Sequence, residues 1–158
     1  MATAQPGPES RLQIRRTFAA PREKVFDAWT DRKALERWMC RDNPKNDVRY
    51  TAFDVRPGGS NRMDIRTADG SVYHQLVSFR EVKPPERLVF TWSWERQNAA
   101  GVEDEKQGET VVTVEFIARG NSTEMTLTHE LFRNAEQRDR HTKGWNGCLN
   151  VLETVLQS

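Results

Sequence analysis

The chain alternates before it coils. Leu12, Ile14 and Phe18 fall on every second position around Arg16, the period of a half-buried strand beginning near Arg11. Pro21 then suits the first turn of a helix, where its missing N–H costs nothing. Val25, Ala28 and Trp29 recur there at helical spacing. Asp31 is a suitable N-cap for a second short helix over 32–39, with Leu35 and Trp38 on one face. Asn43, Pro44 and Asn46 mark a loop.

From Val48 the period returns to two. Strands are expected over 50–55, 62–67 and 72–82, stopped by turn signals at Pro57-Gly58-Gly59, Asp69-Gly70 and Pro84-Pro85. Leu88, Phe90, Trp92 and Trp94 alternate strictly, so all four face one side. Residues 96–108 are polar and predict a long, solvated hairpin loop. Strand 110–117 puts Val112, Val114 and Phe116 on one face, and Gly120-Asn121 turns the chain. Met125, Leu127, His129 and Leu131 line the last strand. Asn134, with Gln137 three residues on, caps a final helix from 135 to 156. That helix is about 33 Å long at 1.5 Å per residue. Its apolar stripe is Trp145, Cys148, Leu149, Leu152, Val155 and Leu156. Gly144 and Gly147 interrupt it, each at about 1 kcal/mol relative to alanine, so a strand backbone or a ligand is expected to come close there.

The order is strand, two short helices, six strands, long helix. Consecutive hairpins with one apolar face predict an α+β fold, a curved antiparallel sheet of about seven strands around the C-terminal helix. At 158 residues this is one domain, over 11–158, after a disordered tail over 1–10 punctuated by Pro6, Gly7 and Pro8. With 24 basic and 23 acidic side chains the net charge is +1, which removes the electrostatic case for nucleic acid or anionic membrane. No apolar run approaches the ~20 residues of a membrane span. The opening MATAQPGPES lacks the basic and apolar regions of a secretory signal. Two cysteines, Cys40 and Cys148, are too few for a disulfide framework, so a cytoplasmic location is expected.

Several motifs together then become recognisable. The run Phe18-Ala19-Ala20-Pro21-Arg22-Glu23-Lys24-Val25-Phe26-Asp27-Ala28-Trp29-Thr30-Asp31 resembles the entry motif of the activator of heat-shock-protein-90 ATPase homologue family, single-domain bacterial type. So do Asp54-Val55-Arg56-Pro57-Gly58-Gly59, Pro84-Pro85-Glu86-Arg87-Leu88-Val89-Phe90-Thr91-Trp92-Ser93-Trp94, Leu127-Thr128-His129-Glu130-Leu131-Phe132 and Gly144-Trp145, in that order. The resemblance covers about residues 12–156. It implies the START-like, birch-pollen-allergen-like helix-grip fold of the SRPBCC superfamily, whose members commonly enclose a cavity between sheet and long helix. It also implies binding of apolar molecules or, in some members, cyclisation or dehydration of polyketides. Chaperone-activating members carry a further N-terminal domain, so the expectation here is a member without that activity.

The candidate ligand cavity comprises Trp92 and Trp94 on one strand face, Trp145, Gly144 and Cys148 on the covering helix, Trp38, Tyr73 and His129. The plainer reading of the tryptophans is a packed aromatic core. His129 is in phase with the apolar face and is a weak candidate for an acid–base or ligand-orienting group, with His141 second. The plainer reading of His129 is a neutral core histidine hydrogen-bonded to a neighbour. Glu130 points the other way. Arg56 and Arg62 flank the Gly58-Gly59 turn as candidate anion-orienting charges at the cavity mouth, beside Asp54 and Asp64, or form a solvated salt-bridge cluster there. Cys40, His74, His141 and Cys148 match no metal-ligand spacing, so no metal and no cofactor are expected.

The leading expectation is binding of a small hydrophobic or amphipathic molecule between sheet and helix. The alternatives are a cyclase- or dehydratase-type enzyme on an aromatic or polyketide-like substrate, and a chaperone- or protein-partner-binding module. A homodimer with two-fold symmetry is the ordinary expectation for a domain of this size.

Overall fold

The computed structural model describes residues 10–157, the side chains of Asp104 and Glu105 excepted. The tail expected over 1–10 therefore falls, but for Ser10, outside the described residues. Strand β1 (Arg11–Phe18) leads into helices α1 (Arg22–Thr30) and α2 (Arg32–Trp38). Asp31 separates them: its own N–H bonds the Asp27 carbonyl, and its side chain caps α2 by accepting from Ala34 N at 2.9 Å. Six strands follow, β2 (Asp47–Ala52), β3 (Ser60–Arg66), β4 (Val72–Lys83), β5 (Arg87–Gln97), β6 (Glu103–Arg119) and β7 (Ser122–Glu130). Helix α3 (Ala135–Gln157) closes the chain, capped by Asn134, whose side chain accepts from Gln137 N at 2.9 Å.

The seven strands form one antiparallel sheet in the order β1-β7-β6-β5-β4-β3-β2. This is a helix-grip fold: a meander from β2 to β7, completed by the first strand of the chain laid along the last. The helices pack on the concave face. Phe26 of α1 meets Phe116 of β6 edge-on at 5.5 Å, and Trp29 meets Trp145 of α3 at 5.8 Å. Arg16 of β1 holds α3 from outside, reaching Asn150 at 2.8 Å and Asn146 at 3.1 Å. Lys24 Nζ donates to the Leu156 carbonyl at 2.8 Å, satisfying one of the carbonyls left open at the end of α3.

At the β2–β3 turn Gly58 has φ +85°, a region that glycine enters without strain. Gly59 is required for a different reason: a Cβ there would run into the Asp54 carbonyl.

The sequence expectation fails in three places. The long loop over 96–108 does not exist as such; β5 continues to Gln97, β6 starts at Glu103, and only 98–102 turn. The Asn98 side chain nucleates that turn by accepting from Ala100 N and Val102 N, and Lys106 faces Glu95 across the ribbon at 3.8 Å. Alternation missed it because β5 beyond Trp94, though paired with β4 on one side and β6 on the other, carries polar side chains on both faces and so has no apolar period. Strand β2 begins three residues earlier than expected and ends at Ala52. Leu131 is not in the core: with φ +72° it leaves the sheet and is 53% exposed, and Phe132 turns inward instead.

Candidate functional site

The sheet and α3 diverge toward the end of the sheet where β3 finishes and β4 begins, and a cavity of about 320 Å³ opens between them. That lies at the lower end of the range for small-molecule sites, about 300–1,000 Å³. Its sheet wall is aromatic: Trp92 and Trp94 of β5, 5.6 Å apart edge-on, and Tyr73 of β4, 6.1 Å from Trp94. Trp145 forms the helix side, 4.9 Å from Trp92. Gly144 faces the same space; a Cβ built there meets nothing within 4 Å. Gly147 does not face open space. A Cβ on it would lie 2.6 Å from Asp42 Oδ2, so the close approach foreseen on this helix comes from a loop side chain.

The third side is the segment between α2 and β2. Cys40 adopts φ +57°, and its N–H donates to Cys148 Sγ at 3.1 Å. A hydrogen bond to Cys148 and burial together push the Cys40 thiol well above its ordinary range; both cysteines are free. Asp42 and Asn46 follow on the lining, Asn46 donating to the Cys40 carbonyl at 3.2 Å. At the mouth stand Arg96, whose guanidinium lies 5.8 Å from the Tyr73 ring centre, and Arg140 of α3.

Behind Trp145 runs a relay of hydrogen bonds. The indole Nε1–H donates to His129 Nδ1 at 3.0 Å. An indole nitrogen only donates, so His129 carries its proton on Nε2. That nitrogen donates to Thr110 Oγ1 at 2.7 Å, and Thr110 donates to the Trp92 carbonyl at 2.9 Å. Both histidine nitrogens are thus engaged, and burial, with His141 nearby, holds its pKa well below the ordinary range. His129 orients the cavity wall from behind and has no free nitrogen to offer a substrate. His141 differs. Its Nδ1 donates to the Gln137 carbonyl at 2.9 Å, its pKa is lowered by burial, and the ring lines the cavity.

The structure therefore brings together Tyr73, Trp92, Trp94, Gly144, Trp145 and Cys148 from the sequence-derived set, with His141. Trp38 and His129 are fully buried behind the lining; Trp38 donates to the Ala28 carbonyl at 2.8 Å. Arg56 and Arg62 stand away from the cavity. Arg56 pairs with Asp54 at 2.9 Å at the β2–β3 turn, the opposite end of β3 from the lining residues Ile65 and Thr67. Arg62 alternates with the inward Asn61 and Met63, so it points outward, to Asp64 at 3.4 Å and His74 at 3.2 Å. Sequence reasoning missed Asp42, Asn46, Arg96, Gln107 and Arg140, which come from a loop, a polar ribbon and a helix's charged side. No periodic signal marks such positions. Among the described residues no three His, Cys, Asp or Glu side chains are grouped to hold a metal ion, and no helix is long and apolar enough to cross a membrane.

The profile of the family described as Activator of Hsp90 ATPase homolog 1-like protein matches residues 19–157. Among solved structures, a Chromobacterium violaceum protein is similar at 21% identity, with a TM-score of 0.80 over 94% of this chain and 98% of that one. An Arthrobacter aurescens protein solved by NMR is similar at 22% identity, TM-score 0.78, over 94% of this chain and 87% of its own. A Mycobacterium smegmatis protein gives 19% and 0.76, over 94% and 91%. At these identities the likeness establishes the fold. No curated protein sequence matches the chain.

Proposed function

Since the chain belongs to the Activator of Hsp90 ATPase homolog 1-like family, we propose that it binds a small apolar or amphipathic molecule in the cavity between sheet and α3. One observation carries this reading. The cavity is walled by three tryptophans and a tyrosine, and the helix covering it carries on the lining an exposed glycine, Gly144, where an added Cβ would meet nothing within 4 Å. Helix propensity alone would favour alanine there by about 1 kcal/mol. A reducing cytoplasm suits the neighbouring free thiols of Cys40 and Cys148.

The test is native mass spectrometry of the protein purified without denaturation, alongside Gly144→Leu. A retained mass that is lost on denaturation, and is absent from a folded Gly144→Leu variant, is the expected result. A variant that retains the same mass places the ligand elsewhere. The same spectrum reads the oligomeric state, for which a two-fold dimer is expected.

A second reading, an enzyme of the cyclase or dehydratase class, draws on His141. Held neutral by burial and anchored through Nδ1, it has the form of a general base on the lining. An aromatic polyketone turned over by the wild type and by His141→Gln at the same rate would remove that support.

A further inference from the structure

Three buried hydrogen-bond donors lie together beside the cavity wall. Trp94 of β5 has Gln75 of β4 as its partner on one side and Gln107 of β6 on the other. Partners in antiparallel strands stand within about 5.5 Å at Cα. The Nε2 amides of both glutamines are buried without an acceptor among the described residues, and so is Nε1 of Trp92, two positions before Trp94 on the same face. Gln75 is 2% exposed and Trp92 4%. Buried polar groups ordinarily find partners, so three unmatched donors in one patch call for an acceptor. The next position on the same face of β5 is Arg96, at the mouth. Its guanidinium reaches Ser71 Oγ at 3.1 Å and an exposed carboxylate, Asp69, at 4.0 Å. The neighbouring acid, Glu95, also lines the cavity, and its charge is met by Lys106 at 3.8 Å. Donors grouped beside a cation, against an aromatic wall, suit an oxygen anion carried on an apolar body. A carboxylate offers about four lone-pair sites for such donors.

We propose that this corner is a head-group subsite and that the cavity's ligand is a monocarboxylic acid. Its carboxylate accepts from Trp92 and Gln107 in the field of Arg96, while its apolar body lies against Trp94 and Trp145. Both donor nitrogens are closed to the cavity; Gln107 reaches the carboxylate by turning its amide about its own side-chain torsions, the same movement uncovers the Trp92 indole edge, and Gln75 backs the patch from β4. The proposal rests on the cavity-binding reading above and goes further by naming the ligand's chemistry.

The test uses the whole protein and three probes of one shape: 2-naphthoate, the neutral ketone 2-acetonaphthone, and 2-ethylnaphthalene. Affinities are measured by calorimetry, and the indole N–H signals are followed by NMR. The expected result is that 2-naphthoate binds about tenfold or more tighter than either neutral probe, since charge-assisted bonds outweigh neutral ones. It should shift the Trp92 N–H downfield. Added salt should weaken 2-naphthoate and leave 2-ethylnaphthalene unchanged. Gln107→Leu lies on the ribbon at the edge of the core, and it and Arg96→Gln should each erase most of the preference while sparing 2-ethylnaphthalene. An acid bound no tighter than the hydrocarbon, a preference surviving both substitutions, or a ketone as good as the acid overturns the carboxylate subsite. Failure of all three probes overturns the cavity reading itself.

Discussion

Protonating His129 would set two N–H groups against each other, its own new Nδ1–H and the Trp145 indole 3.0 Å away. Folding therefore favours the neutral ring. His141 has the same sign, its pKa also lowered by burial. A group with a depressed folded pKa contributes its full stability above the unfolded value, 6.5 for histidine, and loses it as pH falls through the folded value. Unfolding free energy should thus be flat from pH 8 to about 6.5 and decline below, by at most about 1.4 kcal/mol per pH unit for each histidine. Urea titrations at pH 7.5 and 5.5 measure it. His129→Gln should lower stability at pH 7.5 and flatten the acid decline; an unchanged slope would mean that His129 does not titrate in this range. The alternation of the last strand made the buried face of His129 legible. Its partners were not, because Thr110 and Trp145 reach it from other elements.

At the scale of elements, the segment between α2 and β2 is held to α3 through Asp42 and Gly147. Gly147→Ala removes a helix-interior glycine, worth about 1 kcal/mol, but drives a Cβ to 2.6 Å from Asp42 Oδ2. In the wild-type background the substitution should be destabilising. In an Asp42→Gly background, which removes every side-chain atom that the new Cβ would meet, it should stabilise by about 1 kcal/mol, and the reversal of sign in a double-mutant cycle is the measurement. The elements that were legible had local causes: the Asp31 cap, the Asp69-Gly70 turn with Gly70 at φ +86°, and the strict alternation of β5. The ribbon beyond Trp94 and Gln107 was illegible because its stability comes from the opposite strand and not from an apolar face. Cys40 and Asp42 were unread as site residues because a loop's course past a helix has no period.

For the whole molecule, a bound ligand adds stability by mass action. A probe at about 100 times its Kd contributes about 2.7 kcal/mol, which at this chain length is a rise in Tm of about 5–10 °C. Thermal melts with 2-naphthoate should show it, and Gly144→Leu should abolish it; an equal rise in that variant would place binding outside the cavity. All four cavity-wall aromatics were legible, Trp92 and Trp94 as one face of β5, Trp145 in the stripe of α3, and Tyr73 on an earlier strand. Depth was not. Trp38 and His129 belong to the correct side of their elements and yet sit behind the lining, because a period fixes the direction of a side chain and not how far the layers stand apart.

The pairing of β1 with β7 has a consequence for synthesis. Phe18 partners Thr123 and Arg11 partners Glu130, so β1, once it has left the ribosome, cannot find its neighbour until about a hundred further residues have been made. At about 5–20 residues per second that wait is of the order of 5–20 s. During it the growing chain presents an unpaired strand, and the meander that follows can fold only as far as an open edge. The arginines of β1, Arg11, Arg15 and Arg16, are then more than a surface in the finished fold: charges along an unpaired edge discourage it from pairing with the wrong chain.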